Sequence, residues 1–209
     1  MHARNVGRCF ASIVLLTSLA WDVRPRPRVW CVGDSITHFY VPVLVEHEPA
    51  WTIIDLGRGA ERSDHGLLRV IALLAENPAP DVVILLFGAN DVGARVLEND
   101  PAHGPAEAAA NVREMARRVR AAGAVPVVAL PVGAPPGTAD DAPDARRNLR
   151  ALRRGFAALR AALRGERPRV DLRLARRALF LDALHPRPAG VELIARRVAA
   201  AVRRVTAAH

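Results

Sequence analysis

Several residue types are absent or scarce in this chain of 209 residues, and each shortage narrows the class of protein. It has no lysine, so all 30 basic residues are arginine, and it has only two cysteines and 4% aromatic residues. Two cysteines cannot build a disulfide scaffold, and the cysteines and histidines do not have the spacing of a zinc site. Aromatic residues this sparse do not provide a stacking platform for nucleic-acid bases. No apolar run reaches the roughly 18 residues that a membrane-spanning helix needs.

The rest of the composition is that of a single folded domain. Hydrophobic residues make up 51% of the chain and charged residues 24%, which excludes a disordered protein. A length of 209 residues is enough for one ordinary domain with a substantial core and marginal for two. We therefore expect one domain.

The amino terminus has the pattern of a secretory signal. The first eight residues hold two arginines and no acid, a mostly apolar run of 12 residues follows, and Ser18 and Ala20 place small side chains at a cleavage site. A helix packed on the core and an uncleaved anchor are the alternative interpretations. We predict a signal peptide over residues 1–20, a linker over 21–28 and one folded domain over 29–209. The protein is then exported to the periplasm or the extracellular space.

Short apolar runs alternate with amphipathic segments after the linker. Near-continuous apolar runs are typical of parallel strands that are covered on both faces, and apolar residues at helical spacing predict helices between them. Repetition of strand, helix and strand implies right-handed crossovers, so we predict an α/β fold with three α/β/α layers. The predicted strands are 29–32, 52–56, 82–87, 125–130 and 170–174, and the predicted helices are 64–76, 105–122, 143–165 and 187–205.

Polar turns follow these strands at their carboxyl ends, where ligands bind in open α/β sheets. Ser35 follows the first strand on a Gly-Asp-Ser turn, Asn90 follows the third, and Asp182 and His185 follow the fifth. A serine needs an adjacent base to act as a nucleophile, and His185 can supply one. A carboxylate three residues earlier can reach Nδ1 of the same imidazole, as in an acyl-transfer triad. The Asn90 amide can donate to a developing oxyanion.

Each of these motifs has an ordinary structural explanation when it is taken alone. Gly-Asp-Ser and Gly-Ala-Asn-Asp are both common turn sequences. Asp-Ala-Leu-His before a proline is as easily a helix cap. Their occurrence together, each at the predicted carboxyl end of a strand, favours a catalytic site.

The sequence resembles the SGNH (GDSL-type) hydrolases, a family of esterases and lipases. The resemblance rests on GDSIT at 33–37, GAND at 88–91 and DALHP at 182–186, and it extends over about residues 28–205. It implies a flavodoxin-like sandwich with a parallel five-stranded sheet. It implies neither a metal nor an organic cofactor.

The resemblance also assigns roles to individual residues. It implies that Ser35 is the catalytic nucleophile, His185 the base and Asp182 the residue that orients His185. It implies an oxyanion hole made of the Ser35 backbone N–H, a backbone N–H from a second sequence block, and the Asn90 side chain.

The second block departs from the family pattern. In many relatives it reads N-x-G-x-G-G-x-T-S. The second glycine of the G-G pair, which precedes the position of the acidic Glu61, donates its N–H. Here residues 55–63 read DLGRGAERS, which places Ala60 at that glycine and Asp55 at the asparagine. Alanine keeps the N–H donor, but a positive φ at this position would cost energy. We predict that Ala60 still donates and that activity is retained.

The combined observations predict a serine esterase that hydrolyses small or medium acyl esters of a sugar, lipid or other alcohol. Two alternatives stay open: a non-catalytic SGNH-like domain that binds a glycan or anionic surface, which the Ala60 departure favours, and an O-acetyltransferase with the same triad. We expect loops at 38–51, 92–104 and 131–144 to form the pocket walls. The oligomeric state is left open.

Charge is distributed unevenly along the chain. Residues 143–209 carry 17 arginines against 5 acids, whereas residues 1–142 carry 13 against 16. Arginines on the predicted 143–165 helix lie largely away from its apolar stripe, as on an ordinary solvated face. A more specific hypothesis is peripheral contact with an anionic lipid or polysaccharide surface through the arginine-rich residues 143–209. We do not expect nucleic-acid binding, because no known module accompanies the charge.

Overall fold

Strands and helices alternate through the computed structural model, which describes residues 26–135 and 143–208. The predicted signal peptide, and all of the predicted linker except its last three residues, lie outside the described residues. The strands are β1 (Arg28–Gly33), β2 (Thr52–Gly57), β3 (Val82–Leu86), β4 (Val125–Leu130) and β5 (Arg169–Asp171). The helices are α1 (Ser35–His47), α2 (Ser63–Glu76), α3 (Ala89–Leu97), α4 (Pro105–Ala121), α5 (Pro143–Ala162) and α6 (Pro188–Thr206), with short 3-10 turns at Leu163–Gly165 and Arg177–Leu179.

The five strands form one parallel sheet in the order β2-β1-β3-β4-β5. This order is that of flavodoxin-like folds, and the predicted α/β class is confirmed. The fifth strand is shorter than the predicted 170–174. Its chain nevertheless stays beside β4, because the Leu172 N–H donates to the Leu130 carbonyl and the Leu174 N–H to the Val132 carbonyl, each at 3.1 Å.

Helices cover both faces of the sheet and create two hydrophobic cores. The first lies between the sheet and α1 with α6, and its buried side chains include Ile36, Tyr40, Leu44, Ile194 and Val198. The second lies between the sheet and helices α2 to α5, and its buried side chains include Val70, Met115, Leu152, Phe156 and Leu159. Full burial of one such side chain contributes about 1.5–3 kcal/mol, so both layers are needed for a stable sheet.

Two helices occupy segments that we expected to be loops. The 38–51 segment is mostly the continuation of α1, and the 92–104 segment begins within α3. Helix α1 contains Pro42 and three valines, which disfavour a helix when judged by propensity alone. Burial of one face overrides this local preference, since most helical stability in proteins comes from packing.

Two glycines let the chain turn sharply beside the sheet. A Cβ at Gly33 would lie 2.2 Å from Thr37 Oγ1 and 2.4 Å from the Leu86 carbonyl oxygen, so only glycine fits where β1 meets α1. Gly88 has a φ of +104° between β3 and α3. These turns bring the first residues of α1 and α3 to the same edge of the sheet.

Within the described ranges, no helix combines the length and the apolar character needed to cross a membrane.

Candidate active site

Ser35 is the first residue of α1 and follows directly from the carboxyl end of β1. Asp34 caps this helix, because its Oδ1 accepts the Ile36 N–H at 2.9 Å. The first N–H groups of a helix have no acceptor within the helix. The Ser35 hydroxyl and its own N–H therefore both lie at a helix amino terminus, which favours negative charge nearby.

The structure brings Ser35, His185 and Asp182 together across 150 residues of sequence. The Ser35 Oγ lies 3.2 Å from His185 Nε2, and His185 Nδ1 lies 2.8 Å from Asp182 Oδ2. The other Asp182 oxygen, Oδ1, accepts the N–H groups of Leu184 at 2.7 Å and His185 at 2.8 Å. The Asp182 carboxylate thus holds both the turn over residues 182–185 and the imidazole ring of His185 at the end of that turn. This is the geometry of an acyl-transfer triad.

The environment of Asp182 keeps its carboxylate ionised. Burial opposes ionisation, but the two backbone N–H donors and the imidazole outweigh it and lower the pKa of Asp182 below its usual value. The side chains of Asp182 and His185 are 52% and 35% exposed, so the triad opens to solvent. An ionised Asp182 can stabilise the imidazolium that forms when His185 takes a proton.

Phe39 contacts the imidazole and was not identified from the sequence. Its ring lies 5.7 Å from the His185 ring, centroid to centroid, at an interplanar angle of 80°. This edge-to-face contact limits rotation of the imidazole. The spacing contained the signal, because residues four apart share one face of a helix and Phe39 follows Ser35 by four.

The second sequence block forms a tight turn beside the carboxyl end of β1, where Ser35 lies. The Glu61 N–H donates to the Arg58 carbonyl at 3.3 Å, and the Arg58 N–H donates to the Gly33 carbonyl at 2.9 Å. Ala60 is the third residue of this turn and has a φ of +57°. Turns with positive φ at that position favour glycine, so the turn geometry explains the glycine of the family pattern. Alanine here stores about 1–2 kcal/mol of strain but keeps its N–H.

Asn90 connects α3 to the same turn. Its Nδ2 donates to the Glu61 carbonyl at 2.9 Å. A side-chain amide has two hydrogens, so one holds the turn while the other can donate to a ligand oxygen. Asn90 is therefore linked to the turn that carries Ala60, and the Arg58 N–H links that turn to the end of β1.

A buried ion pair anchors this turn, and sequence reasoning missed it. Arg69 of α2 donates from Nε to Glu61 Oε1 at 2.8 Å, and its Nη2 also contacts Oε2. The Arg69 guanidinium donates to the carbonyls of Leu56 at 2.8 Å and Gly33 at 3.4 Å. The Arg69 and Glu61 side chains are only 9% and 7% exposed. Arg69 therefore ties the ends of β1 and β2 to the turn that carries Ala60.

Two more buried carboxylates support the site. Burial raises the pKa of Asp34 to about 7, although the Ile36 N–H partly offsets this. Burial also raises the pKa of Asp91, which accepts the Ser63 hydroxyl at 2.6 Å and so fixes the start of α2. Both residues have structural roles in this arrangement.

Among residues 26–135 and 143–208, no group of three or more His, Cys, Asp or Glu side chains could hold a metal ion. A cavity of about 290 Å³ adjoins the triad on the Asp182 side. Its lining includes the apolar Leu97, Leu149 and Leu152 and the polar Asn148 and Arg177.

Comparison with known proteins identifies the family. The sequence profile of the GDSL-like lipase/acylhydrolase family matches residues 31–193, which is most of the chain. The chain belongs to this family. It is accordingly a carboxylic ester hydrolase, as the sequence analysis predicted. No curated protein sequence matches the chain.

Several solved structures share the fold of this chain. A candidate acylhydrolase of Bacteroides fragilis is 22% identical, with a TM-score of 0.64 over 87% of this chain and 91% of that one. A GDSL-like lipase of Bacteroides thetaiotaomicron is 21% identical, with a TM-score of 0.63 over 86% and 89%. The acetylxylan esterase Axe2 of Geobacillus stearothermophilus is 19% identical, with a TM-score of 0.63 over 84% and 94%. At these identities the likeness establishes the GDSL-like fold.

Proposed function

We propose that this GDSL-like hydrolase is a serine esterase that works through Ser35, His185 and Asp182. The observation that carries the proposal is the continuous path from Ser35 Oγ through the imidazole to the Asp182 carboxylate, with steps of 3.2 and 2.8 Å. These are distances at which a base can take the serine proton.

The mechanism has two acyl-transfer steps. Ser35 Oγ attacks the ester carbonyl carbon while His185 takes its proton, and the carbonyl oxygen becomes an oxyanion. The N–H groups of Ser35 and Ala60 and the Asn90 amide stabilise that oxyanion. The tetrahedral intermediate then collapses to an acyl-enzyme, and the protonated His185 gives its proton to the leaving alcohol. Water activated by His185 attacks the acyl-enzyme, which releases the carboxylic acid and restores the Ser35 hydroxyl.

The proposed substrates are esters of small or medium acyl groups with a sugar, lipid or other alcohol. One similarly folded protein is named as an acetylxylan esterase, which supports small acyl groups and a sugar ester.

Hydrolysis of p-nitrophenyl acetate, butyrate and octanoate tests this proposal. We expect turnover of the acetate and butyrate to exceed that of the octanoate, and Ser35→Ala to lose about 10³-fold or more. Wild-type turnover in folded Ser35→Ala would contradict the assigned nucleophile. A well-folded wild-type protein that hydrolyses none of the esters would favour the non-catalytic alternative.

We also propose that the protein is exported. The support is the basic, then apolar, then small-residue pattern of residues 1–20. The intact mass of protein recovered outside the cytoplasm tests this: cleavage after Ala20 is expected, and full-length protein confined to the cytoplasm would contradict it.

A further inference from the structure

A second cavity, of about 490 Å³, lies at the β5 edge of the sheet. Its walls come from the segments after β4 and β5 and from helices α5 and α6, and they include Gly133, Leu174, Arg160 and Arg197. The described lining includes no triad residue. The esterase mechanism therefore leaves this cavity without a role.

The lining carries an excess of positive charge. Arg160, Arg173 and Arg197 face a single carboxylate, that of Asp171. Asp171 is held by Arg173, whose Nη2 lies 2.7 Å from Oδ2 and whose Nε lies 2.8 Å from the same oxygen. Arg197 donates to the Arg173 carbonyl at 2.6 Å and the Asp171 carbonyl at 3.3 Å. Those acceptors are neutral, so the Arg197 charge has no counter-ion among residues 26–135 and 143–208.

Arg160 has the least compensated guanidinium of the three. Its Nη1 is buried and has no hydrogen-bond partner among the residues that the structure describes. The same atom packs against Gly133, where an added Cβ would lie 3.0 Å away. Burial, followed by the nearby Arg173 charge, lowers the pKa of Arg160 below its usual value. Nη1 itself is closed off from the cavity, but the Arg160 guanidinium makes no hydrogen bond or ion pair with any described residue, so its N–H groups that line the cavity are available to an anion.

We propose that this cavity binds a tetrahedral oxyanion of the phosphate or sulfate class, with Arg160 as its principal donor. Guanidinium groups suit such ligands because their paired N–H groups match the spacing of the anion oxygens. Three arginines against one carboxylate favour a doubly charged anion over a single carboxylate. The anion is free in solution or is the head group of a larger molecule. The proposal is independent of the esterase chemistry.

Calorimetric titration with inorganic phosphate tests the site, with sodium chloride adjusted to keep the ionic strength constant. We expect saturable binding to the wild-type protein and to Ser35→Ala, and binding to Arg160→Gln that is weaker by about tenfold or more. Arg204→Gln is the matched control, because Arg204 is an exposed arginine of α6 outside the cavity. Arg173→Gln is a second test variant, since Arg173 is mostly exposed and its replacement leaves the core intact.

Vesicles distinguish the two sources of the anion. Sedimentation with phosphatidate vesicles that depends on Arg160 supports a lipid head group, whereas phosphate binding without vesicle binding supports a soluble anion. The proposal is overturned if the wild-type protein does not bind phosphate. It is equally overturned if folded Arg160→Gln binds phosphate as tightly as Arg204→Gln does or, where Arg160→Gln does not fold, if Arg173→Gln does so.

Discussion

At the scale of single residues, Ala60 shows how one methyl group can add strain without removing a donor. Its φ of +57° places its backbone in the left-handed region, where a Cβ is unfavourable. We predict that Ala60→Gly raises the free energy of unfolding by about 0.5–1 kcal/mol, since relief of strain exceeds the entropy that glycine adds to the unfolded chain. Urea denaturation followed by circular dichroism measures this.

A matched substitution gives the opposite sign. Ala110 is an exposed alanine inside α4, so Ala110→Gly should lower the free energy of unfolding by about 1 kcal/mol. A loss of similar size in Ala60→Gly would show that the turn does not strain alanine.

Asn90 holds the turn at Glu61, and the proposed mechanism also makes it an oxyanion donor, so its removal should show mainly in catalysis. We predict that Asn90→Ala lowers kcat by about 10²–10³-fold, because an oxyanion donor is lost, and that the protein still folds. Steady-state hydrolysis of p-nitrophenyl acetate measures the loss. Asn77→Ala is the control, since the Asn77 amide donates to the Leu73 carbonyl at the end of α2 and to no other residue that the structure describes. Full activity of Asn90→Ala would remove Asn90 from the oxyanion hole.

The sequence predicts candidate site residues when they lie in a short recognisable motif, and it misses residues that act through contacts between distant parts of the chain. Ser35, His185 and Asp182 stand out because each follows a strand in a recognisable turn. Nothing local marks Arg69, an arginine inside an apolar helical segment, as the partner of Glu61. Such a pair depends on how α2 packs against the sheet, and this is a property of the tertiary structure.

At the scale of secondary-structure elements, the Glu61–Arg69 ion pair joins α2 to the turn that carries Ala60. We predict that Arg69→Leu lowers the free energy of unfolding by about 3–5 kcal/mol, since it leaves the Glu61 carboxylate buried without its partner. Chemical denaturation measures the effect.

Two further variants separate charge from packing. Arg117→Leu, which breaks an exposed pair with Glu114 in α4, should leave stability close to that of the wild type. Adding Glu61→Gln to Arg69→Leu should recover part of the loss, because no charge is then left buried. If Arg69→Leu is no less stable than Arg117→Leu, the ion pair does not anchor the turn.

The cap of α1 makes stability depend on pH. The pKa of Asp34 is about 7 in the folded protein, above its usual 3.8, so the folded state binds the proton more tightly. The stabilisation that this provides is present below about pH 4 and is lost as the pH rises through about 7. An asparagine side chain at this position would keep the cap without ionising, so its contribution would not change with pH. We therefore predict that the stability of Asp34→Asn relative to the wild type increases by more than about 1 kcal/mol as the pH rises from about 4 to about 7. Denaturation at several pH values measures this gain, and a difference that is constant with pH would contradict it.

Elements differ in how far the sequence predicts them. The strands were predictable because continuous apolar runs need cover on both faces, and α2, α4, α5 and α6 because their apolar residues recur at helical spacing. Helix α1 was missed because Pro42 and its valines obscure the pattern, and α3 because it is only 9 residues long. Both are stabilised by tertiary contacts.

At the scale of the whole molecule, the sheet order places two separate groups of polar residues at the carboxyl ends of the strands. Ser35 and Asn90 follow β1 and β3 in the middle of the sheet, whereas the arginine-lined cavity lies beside β5 at its margin. The alternating pattern of continuous apolar runs and helical segments predicted the layers and the parallel strands, and the resemblance to a family supplied the flavodoxin-like arrangement. The arginine cavity was not predictable, since its residues are spread over four segments of the chain. What the sequence showed was only the excess of arginine after residue 142.

The central claim is that Ser35 is the nucleophile of the esterase. Incubation with diethyl p-nitrophenyl phosphate, followed by intact-mass and peptide mass spectrometry, tests it most directly, because this reagent leaves a stable phosphoryl group on an activated serine. We predict one adduct per chain, located on Ser35, and none in Ser35→Ala. An unmodified wild-type chain, or an adduct on another residue, would contradict the account.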